Sequence, residues 1–359
     1  MDYPPCMRVG RYTLTKLIGQ GGMAEVWHGH LSSIGGFERE VAVKLLLSQY
    51  ASDAEFVDML LDEARIAGSI AHSNVVQVLD VGRDDDRFYL VMEHVAGTDV
   101  RGLIRRTTDG RLPLEVALYA CSEVARGLEA VHHATVRGVP RKIIHRDISP
   151  SNVLVSSSGE IKLADFGIAH AAQRLTRTRV GSVKGKTRYM SPEQLSGQRL
   201  DARSDLYSLA VVLAELLVGP SVFPNNDSAP GRSHILAETA RAHLPEEVMA
   251  VLRNALAPRP EQRPSDAFEL GCQCADLLHR WYPGYDGRLL QRYVKMGPGA
   301  ALPPPSFGPS TLSGASDEAP TRQSGPLGFR RGKEDDHRYA PGTELVPVRR
   351  MALVAGSRI

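Results

Sequence analysis

The sequence is organised around one eight-residue stretch, His145-Arg146-Asp147-Ile148-Ser149-Pro150-Ser151-Asn152. A histidine, an arginine and an aspartate in a row also occur in ordinary charged turns, so the stretch does not decide the function by itself. What decides it is the order and spacing of the motifs before and after it.

The composition is typical of a water-exposed protein with a large core. The 359 residues are 42% hydrophobic and 23% charged, which is enough material for two domains. With 43 basic and 41 acidic residues the formal charge is +2, so charge gives no reason to expect nucleic acid or an anionic membrane as partner. We find neither the apolar run of a signal peptide nor the roughly 18 consecutive apolar residues of a membrane span. We therefore expect a cytoplasmic protein with no membrane and no nucleic-acid partner.

The four cysteines predict free thiols in a reducing compartment. Cys6, Cys121, Cys272 and Cys274 are too few and too scattered for a disulfide framework. They also lack the paired spacing of a structural zinc site.

A glycine-rich turn between two β-rich segments is the first candidate binding element. The segments are Tyr12–Ile18 and Trp27–His30, and the turn reads Gly19-Gln20-Gly21-Gly22-Met23-Ala24-Glu25-Val26. Glycines let backbone N–H groups approach phosphate oxygens without an intervening side chain. Ala24 replaces the third glycine of the G-x-G-x-x-G pattern, so an ordinary hairpin explains this segment equally well when it is taken alone.

The next two segments are a strand and a helix. Val41-Ala42-Val43-Lys44 alternates, which predicts a strand with Ala42 and Lys44 on one face. A helix is predicted to begin at Ser52, because Ser52 and Glu55 have capping-box spacing. Its apolar face contains one carboxylate, Glu63, and burying a carboxylate is costly unless it is paired. The apolar members of that face are Phe56, Met59, Leu60 and Ala67.

A hairpin and a polar segment follow the central stretch. Val153–Val155 and Ile161–Leu163 predict two paired strands, and they lead directly to Asp165-Phe166-Gly167. From His170 to Arg188 the apolar periodicity disappears, and basic residues alternate with hydroxyl residues. A solvated basic loop is the plain alternative for this segment. Its notable residues are Arg174, Thr176, Arg177, Thr178, Arg179, Ser182, Lys184, Lys186 and Arg188.

Hydrophobic periodicity places the remaining elements. The connection Thr135–Lys142 is longer than expected and has no explanation in the sequence, and no helix is evident between Gly219 and Leu244. Residues 296–359 are rich in Pro, Gly and Ser and predict a disordered tail. The predicted strands are Val75–Val81 and Phe88–Val95, joined by the polar turn Gly82–Asp86, and the predicted helices are Leu114–Ala134, Ser204–Val218, Glu246–Leu256 and Ser265–Trp281.

Taken in order, these motifs resemble those of protein kinases, and most closely those of bacterial serine/threonine kinases. The resemblance covers Tyr12–Tyr282, and the bacterial likeness rests on Gly21–Ala24 and Met190–Glu193. It implies an α+β, bilobal kinase-like fold. A small antiparallel β lobe with one main helix would span about residues 12–95, and a larger, mainly helical lobe about residues 96–282.

The resemblance also implies roles for individual residues. Asp147 would accept the proton of the attacking hydroxyl, and Lys44, paired with Glu63, would bind the phosphates of ATP. Asn152 and Asp165 would hold Mg²⁺, with Mn²⁺ as the alternative ion. The residues expected around ATP are Ile18, Gly19, Gln20, Gly21, Gly22, Met23, Ala24, Glu25, Val26, Ala42, Lys44, Met92, Glu93, Val95 and Leu154.

Further residues are assigned by the same resemblance. Thr187 would contact Asp147 and help to select a hydroxyl substrate, although one residue is inserted in its motif. Asp205 would anchor the backbone of the central stretch. Glu193, in the local form of A-P-E, would pair with Arg263. That late pair separates protein kinases from small-molecule phosphotransferases, which are therefore disfavoured.

The implied regulation is phosphorylation of the polar segment. Arg146 precedes the catalytic aspartate and is placed to pair with a phosphate on that segment. We expect autophosphorylation at Thr176 or Thr178, with self-association as the route to transfer between copies. ATP and proteins carrying Ser or Thr are the expected partners.

One residue of the central stretch departs from the kinase pattern. Ser149 stands where serine/threonine kinases usually have Lys, and losing one cationic donor costs a few kcal/mol of barrier. A pseudokinase that binds partners without transferring phosphate is therefore the alternative to an active enzyme. The other phosphoryl-transfer residues are intact, which favours the enzyme.

Overall fold

The structure is a computed structural model that describes residues 7–136, 138–165, 186–224 and 229–295. The predicted phosphosites Thr176 and Thr178, Phe166 and Gly167 of the D-F-G triplet, and the predicted tail 296–359 lie outside the described residues.

The small lobe is a six-stranded antiparallel sheet with the strand order β1-β2-β3-β4-β6-β5. The central strands β4 and β6 pair Val43 with Val91 and Lys44 with Leu90. The predicted strands are confirmed, although β5 begins later than expected and extends through most of the predicted polar turn. The strands are β1 Met7–Val9, β2 Tyr12–Gln20, β3 Ala24–Ser32, β4 Glu38–Leu46, β5 Val78–Asp84 and β6 Arg87–Glu93.

The two faces of this sheet bury two separate apolar clusters, as the alternation of β4 predicts. Val41, Val43 and Leu45 pack with Tyr12 and Leu14 on one face. Ala42 and Leu46 lie on the other face, in a cluster with Phe56 and Leu60 of the helix α1 (Ala54–Ala67). Lys44 lies on the α1 side because side chains alternate along a strand.

The start of α1 differs from the sequence prediction by one residue. Asp53, not Ser52, is the N-cap, and its carboxylate accepts the backbone N–H of Glu55 at 3.1 Å. Both residue types are good N-caps, so the sequence alone could not choose between neighbouring positions. Glu63 lies on the buried face, as predicted.

The large lobe is built around two buried helices, α3 and α5, which share one apolar cluster with the hairpin β10–β11. The strand β7 adds to β10, which gives a second sheet with the order β11-β10-β7. The remaining strands are β7 Gly97–Asp99, β8 Thr135–Val136, β9 Val139–Pro140, β10 Val153–Ser156 and β11 Ile161–Leu163. The helices are α2 Val100–Ile104, α3 Leu114–His132, α4 Pro192–Leu195, α5 Arg203–Val218, α6 Arg232–Arg241, α7 Glu246–Ala255, α8 Ala267–Trp281 and α9 Arg288–Lys295. A small lobe of antiparallel strands and a mainly helical large lobe confirm the predicted α+β class.

Four of the described helices were not identified in the sequence, the short α2 and α4 and the longer α6 and α9. The helix α6 lies where none was evident, and it buries only Ile235 and Thr239, which is too weak a pattern to recognise as an amphipathic helix. The helix α9 lies beyond residue 282 and buries Leu290 and Tyr293. The Arg106 guanidinium fixes its end by donating to the Tyr293 and Val294 carbonyls.

The unexplained connection after α3 forms a small hairpin. Its strands β8 and β9 pair Thr135 with Pro140 and Val136 with Val139. Gly138 has a φ of 77°, a left-handed conformation that glycine adopts without strain. The extra residues therefore include two short paired strands.

One stretch, Arg203–Val222, has the length and apolar composition of a membrane-spanning helix, but 83% of its most apolar window is buried inside the protein. It contains α5, whose buried residues occupy nearly every side of the helix. A helix that is apolar all round is typical of a large domain's core as well as of a membrane.

The buried ion pair between Glu193 and Arg263 ties α4 to the segment before α8. Arg263 donates to the two carboxylate oxygens at 2.6 and 2.8 Å, and its remaining N–H groups meet backbone carbonyls, including Ala257 O at 2.8 Å. Ser204 Oγ also donates to Glu193 at 2.6 Å. Burial alone would raise the pKa of Glu193, but the bonds from Arg263 and Ser204 lower it to about 2.

We predict that Arg263→Ala lowers the free energy of unfolding by roughly 3–5 kcal/mol, because it leaves the Glu193 carboxylate buried and unpaired. Arg259→Ala, at an exposed position in the same segment, is the matched control and is expected to change stability little. Urea unfolding of both variants measures the difference.

The same pair predicts a pH dependence. Because the pKa of Glu193 is lower in the folded chain than in the unfolded one, the stabilisation is complete above pH 4.5 and is lost as the pH falls toward 2. Equal destabilisation in the two arginine variants would contradict a dominant role for this ion pair.

Candidate active site

One buried carboxylate, that of Asp205 in α5, holds the backbone of the central stretch. Asp205 Oδ2 accepts the backbone N–H of His145 and Oδ1 accepts that of Arg146, both at 2.8 Å. His132, at the end of α3, donates from Nε2 to Asp205 Oδ2 at 2.8 Å. Asp205 is 1% exposed, so these bonds are made away from water and fix the start of the stretch.

Arg146 needs this support because its φ is 67°, in the left-handed region that non-glycine residues rarely adopt. Such a conformation costs of order 1–3 kcal/mol and persists only where surrounding bonds determine it. Gln194 Nε2 adds a third restraint by donating to the Arg146 carbonyl at 3.0 Å. The backbone conformation of Arg146 determines the direction in which the chain continues into Asp147.

His145 is a neutral structural group inside the same network. Burial lowers its pKa and outweighs the opposing effect of the Asp205 and Asp147 carboxylates. Its Nε2 lies 3.2 Å from the Ala164 carbonyl, and the Asp147 N–H donates to Nδ1 at 3.4 Å. A neutral ring with its proton on Nε2 satisfies both contacts, so His145 ties the stretch to the strand end before Asp165.

Asp147 and Asn152 lie together at the other end of the stretch. Asn152 Nδ2 donates to the Asp147 carbonyl at 2.7 Å, and the Ala164 N–H donates to the Asn152 carbonyl at 2.8 Å. Ser149 lies between them in the sequence and is buried in the fold. Its carbonyl accepts the Asn152 N–H at 3.0 Å. The stretch is therefore a closed turn whose side chains are held by its own backbone.

Lys44 joins the sheet to two acidic residues. Its Nζ donates to Glu63 Oε1 at 2.8 Å and to Asp165 Oδ1 at 3.0 Å. Burial would lower the pKa of Lys44, but the Asp165 and Glu63 carboxylates outweigh it and raise that pKa above its ordinary value. Lys44 is therefore a permanent cation with two anionic partners at neutral pH.

Asp165 has a φ of 54°, also in the left-handed region. It follows β11 directly, and β11 is fixed by its pairing with β10 and by a bridge to Val75. A strained residue at the end of a fixed strand directs its side chain reproducibly. This geometry brings the Asp165 carboxylate to the Lys44 ammonium.

The residues around Asp147 suit a hard divalent ion. Mg²⁺ prefers carboxylate and amide oxygens, and Asp165 and Asn152 supply one of each. Because the Asn152 amide nitrogen is bonded to the Asp147 carbonyl, its Oδ1 is the amide atom that would face a cation. The donor set therefore fits Mg²⁺, and it also fits Mn²⁺.

The glycine-rich segment is a tight loop between β2 and β3. Ile18, Gly19 and Gln20 end β2, Ala24, Glu25 and Val26 begin β3, and the Gly21 N–H closes the turn on the Ala24 carbonyl at 2.9 Å. A side chain at Gly22 would meet no neighbour within 4 Å, so its backbone is open to a ligand. The Met23 carbonyl accepts the Leu47 N–H at 2.9 Å and fastens the loop to β4.

Six of the residues expected around ATP fall in one apolar cluster. Ala42 and Met92 are buried in it, and Met23, Val26, Val95 and Leu154 are partly buried against it. This cluster includes side chains from both lobes, since Leu154 belongs to β10. An apolar slot beside a cationic and acidic group is what a nucleotide site requires.

Glu93 holds the end of β6 through contacts that sequence reasoning missed. Its carboxylate Oε1 accepts from Lys162 Nζ at 2.9 Å and from the Gln77 N–H at 2.8 Å. Its own N–H donates to the Gln77 carbonyl at 2.9 Å, so this N–H is not available to a nucleotide. Lys162 alternates with apolar residues in β11, but nothing in that pattern indicates its partner.

Thr187 lies in the 3-10 turn Lys186–Tyr189, directly before the segment that carries Glu193. The contact between Thr187 and Asp147 stays a prediction.

Comparison with known proteins identifies the fold. Residues 12–282 match the family described as "Protein kinase domain". The chain belongs to the protein kinase family. The match begins at β2 and ends directly after α8, so it includes every group described above.

Two curated relatives and one solved structure place the chain among bacterial kinases. It is 40% identical over 263 residues to the tyrosine-protein kinase MasK of Myxococcus xanthus, covering 71% of this chain and 41% of that protein. It is 36% identical over 267 residues to the serine/threonine-protein kinase PrkC of Bacillus subtilis, covering 73% of this chain and 39% of PrkC. The chain thus spans less than half the length of these relatives.

The solved kinase domain of Mycobacterium tuberculosis PknI is similar over 77% of this chain and 99% of that domain, with a TM-score of 0.58 and 26% identity. The resemblance to bacterial serine/threonine kinases is confirmed.

We predict that Asp205→Asn lowers the free energy of unfolding by roughly 1–3 kcal/mol, because an amide NH₂ would then face buried N–H donors that lose their acceptor. Asp86→Asn is the control, since the Asp86 side chain is 93% exposed. Thermal or chemical unfolding of the two variants gives the comparison. An Asp205→Asn protein as stable as Asp86→Asn would show that the carboxylate does not support the stretch.

Proposed function

We propose that the chain is an ATP-dependent protein kinase that transfers the γ-phosphoryl group of MgATP to serine and threonine hydroxyls. The observation that carries this proposal is the double contact of Lys44 Nζ with Glu63 and Asp165, at 2.8 and 3.0 Å. Phosphoryl transfer depends mainly on positioning and on charge stabilisation, and this contact supplies a fixed cation beside a metal-binding carboxylate.

The proposed reaction assigns one task to each group. The substrate hydroxyl oxygen forms a bond to the γ-phosphorus while the bond from that phosphorus to the β,γ-bridging oxygen breaks, and ADP leaves. Asp147 accepts the hydroxyl proton. Lys44 orients the phosphates and stabilises their charge. Mg²⁺, held by Asn152 and Asp165, would neutralise charge that develops on the phosphate oxygens.

The buried turn supports Asp147 in this task. Asp147 is 9% exposed and follows a residue whose strained conformation is fixed by Asp205. A base held in this way needs little reorganisation when the substrate hydroxyl arrives.

Specificity for serine and threonine rests on Thr187 and on relatives such as PrkC, which is named a serine/threonine-protein kinase. Tyrosine is the second candidate acceptor, because MasK is named a tyrosine-protein kinase and is 40% identical over the matched residues. Both acceptors present a hydroxyl to Asp147, so the same chemistry applies.

Autophosphorylation at Thr176 or Thr178, by self-association, is part of the proposal, with Arg146 as the partner of the phosphate. Two observations support this part. Thr176 and Thr178 follow Asp165 in the sequence, and Arg146, directly before Asp147, has a left-handed backbone conformation.

The alternative function is that of a pseudokinase, and Ser149 is the reason to consider it. Ser149 is buried. Its side chain is shorter than that of lysine and carries no charge. Loss of one cationic donor slows transfer by roughly 10²–10³-fold and does not abolish it. The intact Lys44 contacts favour a functional enzyme.

The decisive experiment incubates the full chain with labelled MgATP and a generic protein substrate. We predict transfer by the wild type and by Asp86→Asn, and a loss of at least about a hundredfold in Asp147→Asn, because the amide cannot accept the hydroxyl proton. Phosphoamino-acid analysis of the product separates serine and threonine from tyrosine.

Nucleotide binding, measured in parallel, distinguishes the outcomes. Retained ATP binding without transfer in the wild type would establish the pseudokinase. Phosphotyrosine alone would overturn the serine/threonine assignment and leave the kinase activity intact.

A further inference from the structure

A second group of ligand-bearing side chains lies on the small lobe, apart from Asp147 and Lys44. His28 in β3, Glu40 in β4 and His94, which follows β6, each offer one ligand atom, and these atoms lie within 4.8 Å of one another. The three residues come from three adjacent strands or their ends, so the sheet itself brings them together.

The distances are close to those of a zinc site. His94 Nδ1 lies 3.2 Å from Glu40 Oε2, and His28 Nε2 lies 3.8 Å from Glu40 Oε1. Ligands at 2.0–2.2 Å in a tetrahedral zinc site are about 3.3–3.5 Å apart. All three ligand atoms lie within 4.8 Å of one another, so zinc-like spacing needs shifts of roughly 1.5 Å or less in side chains that are partly exposed.

The hydrogen bonding of His28 shows which of its nitrogens is available. Thr15 Oγ1 donates its one proton to the His28 carbonyl at 3.1 Å, and the same hydroxyl oxygen lies 3.1 Å from His28 Nδ1. The hydroxyl can then only accept at Nδ1, so Nδ1 carries the ring proton. A lone pair is left on Nε2, which has no hydrogen-bond partner among the described residues and is buried.

That lone pair faces a carboxylate, which is unfavourable unless a cation lies between them. The rings of His28 and His94 are 4.4 Å apart between centroids, so both nitrogens can reach one ion. An orienting bond on the second ring nitrogen, as from Thr15, is the usual arrangement for histidine ligands of metals.

We propose that His28, Glu40 and His94 form a binding site for a divalent transition-metal ion of the Zn²⁺ class. Two imidazoles and one carboxylate suit Zn²⁺ better than Mg²⁺ or Ca²⁺, which prefer oxygen ligands alone. The Glu40 side chain is 66% exposed, so the ion reaches the site from solvent and keeps a water ligand. A bound ion ties the segment after β6 to β3 and β4.

The test measures zinc affinity in the nucleotide-free full chain by competition with a chromophoric zinc chelator. We expect one zinc ion per chain, and at least about a tenfold loss of affinity in each of His28→Ala, Glu40→Gln and His94→Ala. His133→Ala is the matched control, since His133 faces a single carboxylate, Glu129, at 3.1 Å. Zinc should raise the thermal midpoint of the wild type and of the control, but not that of His28→Ala.

Glu40→Gln protects the test against a folding artefact, because the side chain is exposed and its loss leaves the apolar clusters intact. Thr15→Val, which keeps all three ligands but frees the His28 ring, should weaken zinc binding about tenfold. Equal zinc affinity in Glu40→Gln, His94→Ala and the control would overturn the proposal, as would a wild type that binds no zinc.

Discussion

The structure depends on a lysine held between two carboxylates from different parts of the fold. Glu63 belongs to α1, Asp165 follows β11 in the large lobe, and Lys44 in β4 bonds to both. Breaking one member of such a buried group leaves an uncompensated charge. The position of α1, the strand end at Asp165 and the central sheet are therefore coupled through one ammonium group.

The same principle recurs at two other buried carboxylates. Asp205 is satisfied by two backbone N–H groups and a histidine, and Glu193 by an arginine and a serine. Asp205 supports the central stretch, and Glu193 lies within α4 and ties that helix to the segment before α8. A buried carboxylate contributes directional hydrogen bonds where apolar packing would allow movement, and the role proposed for Asp147, that of a base, needs a fixed position. The buried charges of this protein therefore fix the positions of the segments that they contact.

The sequence predicted those parts of the fold that have a local or periodic signal. Alternation in β4 gave the face of Lys44, and helical spacing gave the buried position of Glu63, so their pairing followed once the resemblance to kinases was recognised. The α1 cap was one residue off, because Ser52 and Asp53 are equivalent candidates. The helix α6 escaped notice because its buried face contains a threonine beside Ile235. Contacts that join distant strands, such as Glu93 with Lys162 or His28 with His94, have no signature along the chain.

The central claim is that the Lys44 contacts make this site competent for phosphoryl transfer. Steady-state kinetics of Glu63→Gln tests it most directly, with Glu55→Gln, an exposed residue of the same helix, as the reference. We predict a kcat roughly a hundredfold lower in Glu63→Gln, with a smaller change in the KM for ATP, because Lys44 loses its orientation by about an ångström. Glu55→Gln should match the wild type. Equal turnover in the two variants would contradict the claim.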